Sequence, residues 1–402
     1  MRLRTIKPAE FDQYIALSSL AFGVPKDGEQ RLLKDYLLPE QILVLELGGK
    51  IVSQLLMHKL GVWINRTPIP LGGIAGTVTD PEHRNNGYAT RLLQYALAYM
   101  RETATCNISA LYPATYALYR RNGWVMGDSG RTYTANPSAY HPSNPSTLRN
   151  VEHRMTRLDD MRLLQSMRRR YAASRQGYID RDVLGWHARA LGKIYSNSAD
   201  RWLALHIAPG GREDAYLLYG FSKPRHMEVY EIVYESPTAL DALLLFLAKH
   251  DTQELISVTL DPTNPLLNRV VNPAAFTIQR HLAHLAMFRI VDVPRALCEY
   301  PRLNNEAVGR FTLQIVDQTA PWNTGCWSIQ MEKGTASCSR LQDGALADAT
   351  LDIATLAQLY VGYQSVPKAA REGLIRIHRP SVLSEIACLF ESHTRPFSGD
   401  RF

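Results

Sequence analysis

The stretch PEHRNNGYATRLL, from Pro81 to Leu93, limits the possible folds of this chain more than any other. A turn punctuated by Gly87 runs without pause into a helical pattern. Behind it lies GGIAGTVTD (Gly72–Asp80), which reads as an apolar strand. Ahead, YATRLLQYALAYMRETA (Tyr88–Ala104) places Ala89, Leu92, Leu93, Ala96, Leu97 and Met100 three and four residues apart, the spacing of a helix with one apolar face. CNISALY (Cys106–Tyr112) returns to strand, and Pro113 closes it. TYALYRRNG (Thr115–Gly123) reads as a short helix, with Thr115 as a candidate cap and Gly123 as the stop. Upstream, QILVLEL (Gln41–Leu47), a Gly48-Gly49 turn and KIVSQLLMHKL (Lys50–Leu60) form a hairpin pattern. Strands and helices alternate in this way to about residue 134, so the fold class is α/β.

The chain has 402 residues, too many for one compact core, and two or three domains are expected. The proline- and serine-rich ANPSAYHPSNPS (Ala135–Ser146) reads as a linker or a long excursion. After it come helical segments (Asp159–Arg175, Asp180–Leu191) and the strands RWLALHIA, DAYLLYGF and HMEVYEIVYES. The apolar helix ALDALLLFLAKH and the strand LISVTLD complete a second α/β unit, which has no counterpart of the Arg84–Ala89 turn. Beyond FRIVDVPRAL (Phe288–Leu297), strands and the helices Ile353–Gly362 and Ser381–Ser392 suggest a small α+β unit. The expected boundaries are 1–145, 146–290 and 291–402.

A hydrophobic fraction of 46% with 21% charged residues is that of a soluble globular protein. No stretch approaches the roughly 18 apolar residues of a membrane span. MRLRTIKPAEF lacks the apolar core of a signal peptide. The five cysteines are an odd number without a CxxC pair, as in a reduced, cytoplasmic chain that uses thiols in its core. The formal charge of +7 suits either an anionic ligand or a solvated basic surface. The densest basic run, MRRRYAASRQ (Met167–Gln176), has no nucleic-acid motif around it and reads as an exposed helix face. The histidines form no metal-binding pattern, so no metal is expected.

Taken alone, Arg84-Asn85-Asn86-Gly87-Tyr88-Ala89 is compatible with an ordinary strand-to-helix turn. It also has the makings of an anion site, because unpaired N–H groups at a helix start attract negative charge. Downstream, LYRRNGW adds Tyr119, Gly123 and Trp124. The order strand, R-x-x-G-x-A, helix, strand, Tyr-x-x-x-Gly-aromatic resembles the coenzyme A-dependent acetyltransferases of the GNAT superfamily. The resemblance implies that Arg84, Asn85, Asn86, Gly87, Tyr88, Ala89 and Thr90 cradle the pyrophosphate of acetyl-CoA. It implies that Thr77, Val78 and Thr79 pair with the pantetheine arm, and that Tyr119 protonates the departing thiolate. Tyr116, one helical turn earlier, is the rival acid but lacks the spacing to Gly123.

The whole layout is similar to the enhanced-intracellular-survival (Eis) type N-acetyltransferases: two tandem GNAT-like domains, the second degenerate, then a sterol-carrier-protein-like domain. In that family a C-terminal aromatic residue returns its carboxylate to the active site as base, which here points to Phe402. The family further implies a homo-oligomer, a hexamer, and a cationic amine acceptor such as an aminoglycoside, lysine or polyamine. Asp400, Glu29, Asp35 and Glu40 are the acidic residues that could attract it, whereas Arg401 opposes it. The alternative is a non-catalytic binding protein that keeps the GNAT scaffold and holds an apolar or lipid ligand in its C-terminal domain.

Overall fold

The computed structural model describes residues 1–23, 37–144, 151–181, 185–186, 201–280, 285–392 and 394–400. Glu29, Asp35, Arg401 and Phe402 lie outside these, as does most of the helix expected over Asp180–Leu191.

The first sheet has eight strands. Its early members are β1 (Arg2–Thr5), β2 (Ile42–Leu47), β3 (Lys50–Ile64), β4 (Thr67–Thr79), β5 (Ile108–Leu111) and β6 (Val125–Met126). The β2–β3 hairpin turns at Gly48-Gly49, as the sequence predicts. Helix α1 (Phe11–Phe22) follows β1, α2 (Tyr88–Glu102) crosses between the parallel strands β4 and β5, and α3 (Tyr116–Arg121) follows β5. Five of the six apolar positions expected on α2 are buried, Ala89 being half-buried. Burying Leu92, Leu93, Leu97 and Met100 completely contributes roughly 2 kcal/mol each, which seats α2 on the sheet.

The second sheet has seven strands, built mainly from residues between 151 and 279, and the third has five, from Gly309 to Ile377. The first two sheets exchange strands. Arg131–Ala135 pairs within the second sheet, whereas Met287–Ile290 returns to the first and lies between β5 and β6. The far face of the first sheet and the third unit share one apolar core: Val62, Ile108, Phe288 and Ile290 cluster with Leu313, Trp327, Leu356 and Tyr360. The apolar helix faces of the third unit are therefore spent on core packing.

Two local expectations need correction. Ala135–Ser146 is not a loose linker across its described part: Pro137–Tyr140 is a tight helical turn with Tyr140 fully buried, its hydroxyl donating to the Ile256 carbonyl at 3.0 Å. Pro137 starts that packed turn. Likewise, the basic run lies on α4 (Met161–Ala172) and beyond, but only part of it is solvated. Arg169 and Arg170 are exposed, while Arg168 is buried between acidic partners from a distant strand (Glu231) and the C-terminal segment (Asp400). Charge density along the chain does not show which arginine meets carboxylates in the fold.

Candidate active site

Strand β4 pairs with β3 along its whole length, with an irregularity opposite Gln54–Leu56, but with β5 only over Leu71–Ile74. Past Leu111 the chain turns at Pro113, so the β5 side of Ala75–Thr79 faces no strand among the described residues. This splay leaves backbone donors and acceptors open in mid-sheet, where an extended ligand can complete the pairing. Val78 turns its side chain into the core under α1. Thr79 Oγ1 lies 2.9 Å from Ser53 Oγ.

At the end of β4 the chain forms a short turn, Pro81–His83, and then takes left-handed backbone conformations at Asn85 (φ 64°) and Gly87 (φ 75°). Gly87 caps α2 without any side-chain hydrogen bond, and the first helical bond runs from Arg91 N–H to Gly87 O. The amides of residues 85–90 consequently find no acceptor among the described residues. Successive free N–H groups at the positive end of a 15-residue helix form an anion site. A Cβ on Gly87 would meet nothing within 4 Å, so the glycine answers to its backbone conformation and to the open space above it. The exposed Arg84 folds back, its Nε 3.4 Å from Thr79 O. Nearby, Asp80, Glu82 and His83 bring ligand atoms within 4.8 Å of one another, but the Lys50 ammonium already sits 2.8 Å from Asp80.

Tyr119 is 6% exposed and packs in the apolar cluster of Ile74, Leu92, Leu93 and Trp124. Burial pushes its hydroxyl above the usual tyrosine pKa, and the Thr77 hydroxyl draws it partway back. Thr77 Oγ1 itself is buried with no well-formed hydrogen bond among the described residues. The Thr77 hydroxyl is therefore left incompletely satisfied beside the splay. Tyr116 is half-buried, its hydroxyl 3.8 Å from Met126 Sδ.

The C-terminal segment is locked into the fold. Phe397 packs edge-on against Tyr178 at 5.4 Å, and the backbone of Pro396–Ser398 bonds to Ser129, Gln176 and Ile179. Ser398 Oγ donates to the buried Asp128 carboxylate and also meets the Tyr112 hydroxyl just past β5. Burial holds the Asp128 carboxyl above the usual carboxylate range. Asp400, 7% exposed, accepts from Arg168 Nη2 and Arg181 Nε at 2.6 Å each, and both arginines also hold Glu231. Asp400 is thus neutralised by two cations and is not free to attract an amine, contrary to expectation.

Three family models divide the chain. An acetyltransferase (GNAT) domain matches residues 2–127, a second acetyltransferase (GNAT) domain matches 177–290, and a sterol carrier protein domain matches 293–399. The chain is a GNAT acetyltransferase. An uncharacterized N-acetyltransferase of Streptomyces griseus is 24% identical over 100% of this chain and 99% of its own length. A second, from Streptomyces coelicolor, is 30% identical over 27% of this chain and 25% of its own. In fold, the acetyltransferase is similar to a GCN5-related N-acetyltransferase from Anabaena variabilis (TM-score 0.86, 20% identity, 100% of both chains). It is also similar to Eis1 from Mycobacterium abscessus (TM-score 0.80, 20% identity, 100% of both chains).

GNAT acetyltransferases take their acetyl group from acetyl-CoA. The residues present here suit that co-substrate: six free amides for a diphosphate, an open strand edge for an amide-bearing arm, and the unsatisfied Thr77 hydroxyl beside them. Thr77, Val78 and Thr79 end β4, the 84–90 loop follows that strand, and Tyr119 meets it through the Thr77 hydroxyl. Thr115 does not cap α3 with its side chain. Sequence reasoning missed Tyr112, Asp128, Ser398, Arg168, Arg181 and Glu231. The available signal was charge inside apolar strand runs, such as Glu231 within VYEIV.

Proposed function

We propose that the acetyltransferase moves the acetyl group of acetyl-CoA directly to a primary amine. The observation that carries this reading is the β4–β5 splay with the buried Tyr119 and Thr77 on one side and the free 85–90 amides at its end. The pyrophosphate would rest on the amides of Asn85, Asn86, Gly87, Tyr88, Ala89 and Thr90, with Arg84 swinging from Thr79 O to add charge. The pantetheine arm would run along Thr77–Thr79. The amine nitrogen attacks the thioester carbonyl carbon, the C–S bond breaks, and Tyr119 transfers its proton to the leaving sulfur. Raised above its ordinary pKa, Tyr119 is protonated throughout the physiological range, as an acid must be. The proton released by the amine goes to the carboxylate at Phe402, directly or through water. Support comes from Ser398, which meets the Tyr112 hydroxyl just past β5 and the Asp128 carboxylate.

The acceptor is a primary amine of the aminoglycoside, lysine or polyamine kind. Asp400 is committed to Arg168 and Arg181 and does not attract a polycation, so turnover of polycationic aminoglycosides is expected to be weak or narrow. The test is thiol release from acetyl-CoA with a panel of amines. Tyr119→Phe is expected to lower kcat by about 100-fold while acetyl-CoA still binds in calorimetry. A wild-type rate in that variant removes Tyr119 from the mechanism, and absence of acetyl-CoA binding by the wild type sinks the reading.

A further inference from the structure

Tyr119 sits on α3, a helix of only six residues. A helix this short has little stability of its own, so contacts from elsewhere must set where its side chains point. Its far end is gripped from outside the first domain. Asn122 N–H and Trp124 N–H both bond to Tyr119 O, at 3.0 and 3.1 Å, tying the helix end to the residues that follow. Gly123 has φ +87°, and a Cβ there would fall 1.9 Å from Arg289 Nη1. The glycine is therefore the seat of a guanidinium, which also lies over the Trp124 ring at 5.5 Å.

Arg289 is fully buried, and its Nη2 reaches both Asp317 oxygens at 2.9 Å and Thr319 Oγ1 at 3.0 Å. The Thr319 hydroxyl in turn lies 3.2 Å from both Asn122 O and Asp317 Oδ1, which share its one proton, and so ties the helix end to the Asp317 loop. Asp317 is held in place by the N–H groups of Thr319 and Ala320 and by Asn323 Nδ2. Ala320 and Trp322 of the same loop pack into the cluster that contains Tyr119. Asp317, Thr319 and Ala320 all lie within the sterol carrier protein domain.

We infer that this domain belongs to the catalytic apparatus: its Asp317–Ala320 loop, acting through Arg289 and Asn122, sets the helix that carries Tyr119, so that Asp317 and Thr319 are positioning residues for protonation of the thiolate. The inference rests on Tyr119 being the acid. Its reach is plausible in size, since displacing a reacting group by about 1 Å costs on the order of 100-fold in rate.

The experiment uses the full-length chain and four variants: Thr319→Val, Thr319→Ser, Tyr119→Phe and Tyr119→Phe with Thr319→Val. Thiol release is measured with the best amine from a panel of polyamines, aminoglycosides and lysine peptides. Thr319→Val is expected to lower kcat about tenfold, to leave the acetyl-CoA KM within about twofold, and to produce no further loss in the Tyr119→Phe background. Thr319→Ser, which keeps the hydroxyl, is expected to restore kcat. The inference is overturned if Thr319→Val keeps the wild-type kcat, if its loss comes with an equal loss of acetyl-CoA binding, or if it slows Tyr119→Phe by the same factor as it slows the wild type. A wild-type rate in Tyr119→Phe itself overturns the parent reading, as does lack of turnover with every amine, and the inference falls with it.

Discussion

Thr77 and Tyr119 show how two side chains acquire chemistry from their surroundings. Tyrosine ordinarily loses its proton near pH 10. Burial raises that value at Tyr119, and the neighbouring Thr77 hydroxyl lowers it somewhat. A raised pKa means that the acid form persists as pH climbs past the ordinary tyrosine value, so no alkaline loss of kcat should come from Tyr119 near neutrality. Removing the hydroxyl with Thr77→Val takes away the lowering influence. The alkaline limb of kcat against pH is expected to move further up, and a downward move would show that Thr77 does not act on Tyr119. Tyr119 was readable from its spacing to Gly123 and Trp124. Thr77 was readable only as part of a strand, because its contact with Tyr119 joins residues on separate elements.

At the level of elements, the turn between β4 and α2 allows the proposed binding role to be tested apart from the chemistry. Gly87→Ala adds a methyl that meets no protein atom, so its cost to the fold comes from the left-handed backbone, roughly 1 kcal/mol. The same methyl would stand at the proposed diphosphate site. Its expected signature is an acetyl-CoA KM raised about tenfold with kcat little changed, read from steady-state kinetics. An unchanged KM would place the diphosphate elsewhere. The glycine-punctuated turn and the helix after it were legible because they are local. The splay that makes the turn useful was not, since it depends on β5 ending at Leu111 while β4 continues to Thr79.

For the whole molecule, the second domain works as a socket. Arg168, Arg181, Glu231 and Asp400 form a buried network of two cations and two anions. Removing one partner from such a network leaves charge unpaired away from water, at a cost of about 3 kcal/mol or more. Asp400→Asn should accordingly lower the denaturant midpoint and slow acetyl transfer, while acetyl-CoA binding, proposed for the first domain, persists in calorimetry. Loss of transfer without loss of stability would mean that Asp400 acts on the reaction and not through the tail. By family resemblance the acetyltransferase is expected to be a homo-oligomer, a hexamer, and sedimentation velocity measures this.

The sequence by itself determined the three-part layout, the β4–turn–α2 unit, the hairpin at Gly48-Gly49 and the spacing of Tyr119 to Gly123. The layout, the turn and the hairpin follow from hydrophobic periodicity and backbone preference, which act over a few residues; the Tyr119 spacing took its meaning from the family resemblance. Tertiary structure alone decided that Arg168 is buried while Arg169 and Arg170 are solvated, that Asp400 is neutralised, and that Pro137–Tyr140 packs instead of linking. It also decided that Gly123 makes room for Arg289, 166 positions away in sequence. A buried charge is tolerable only where partners converge on it, and that convergence is a property of the folded chain.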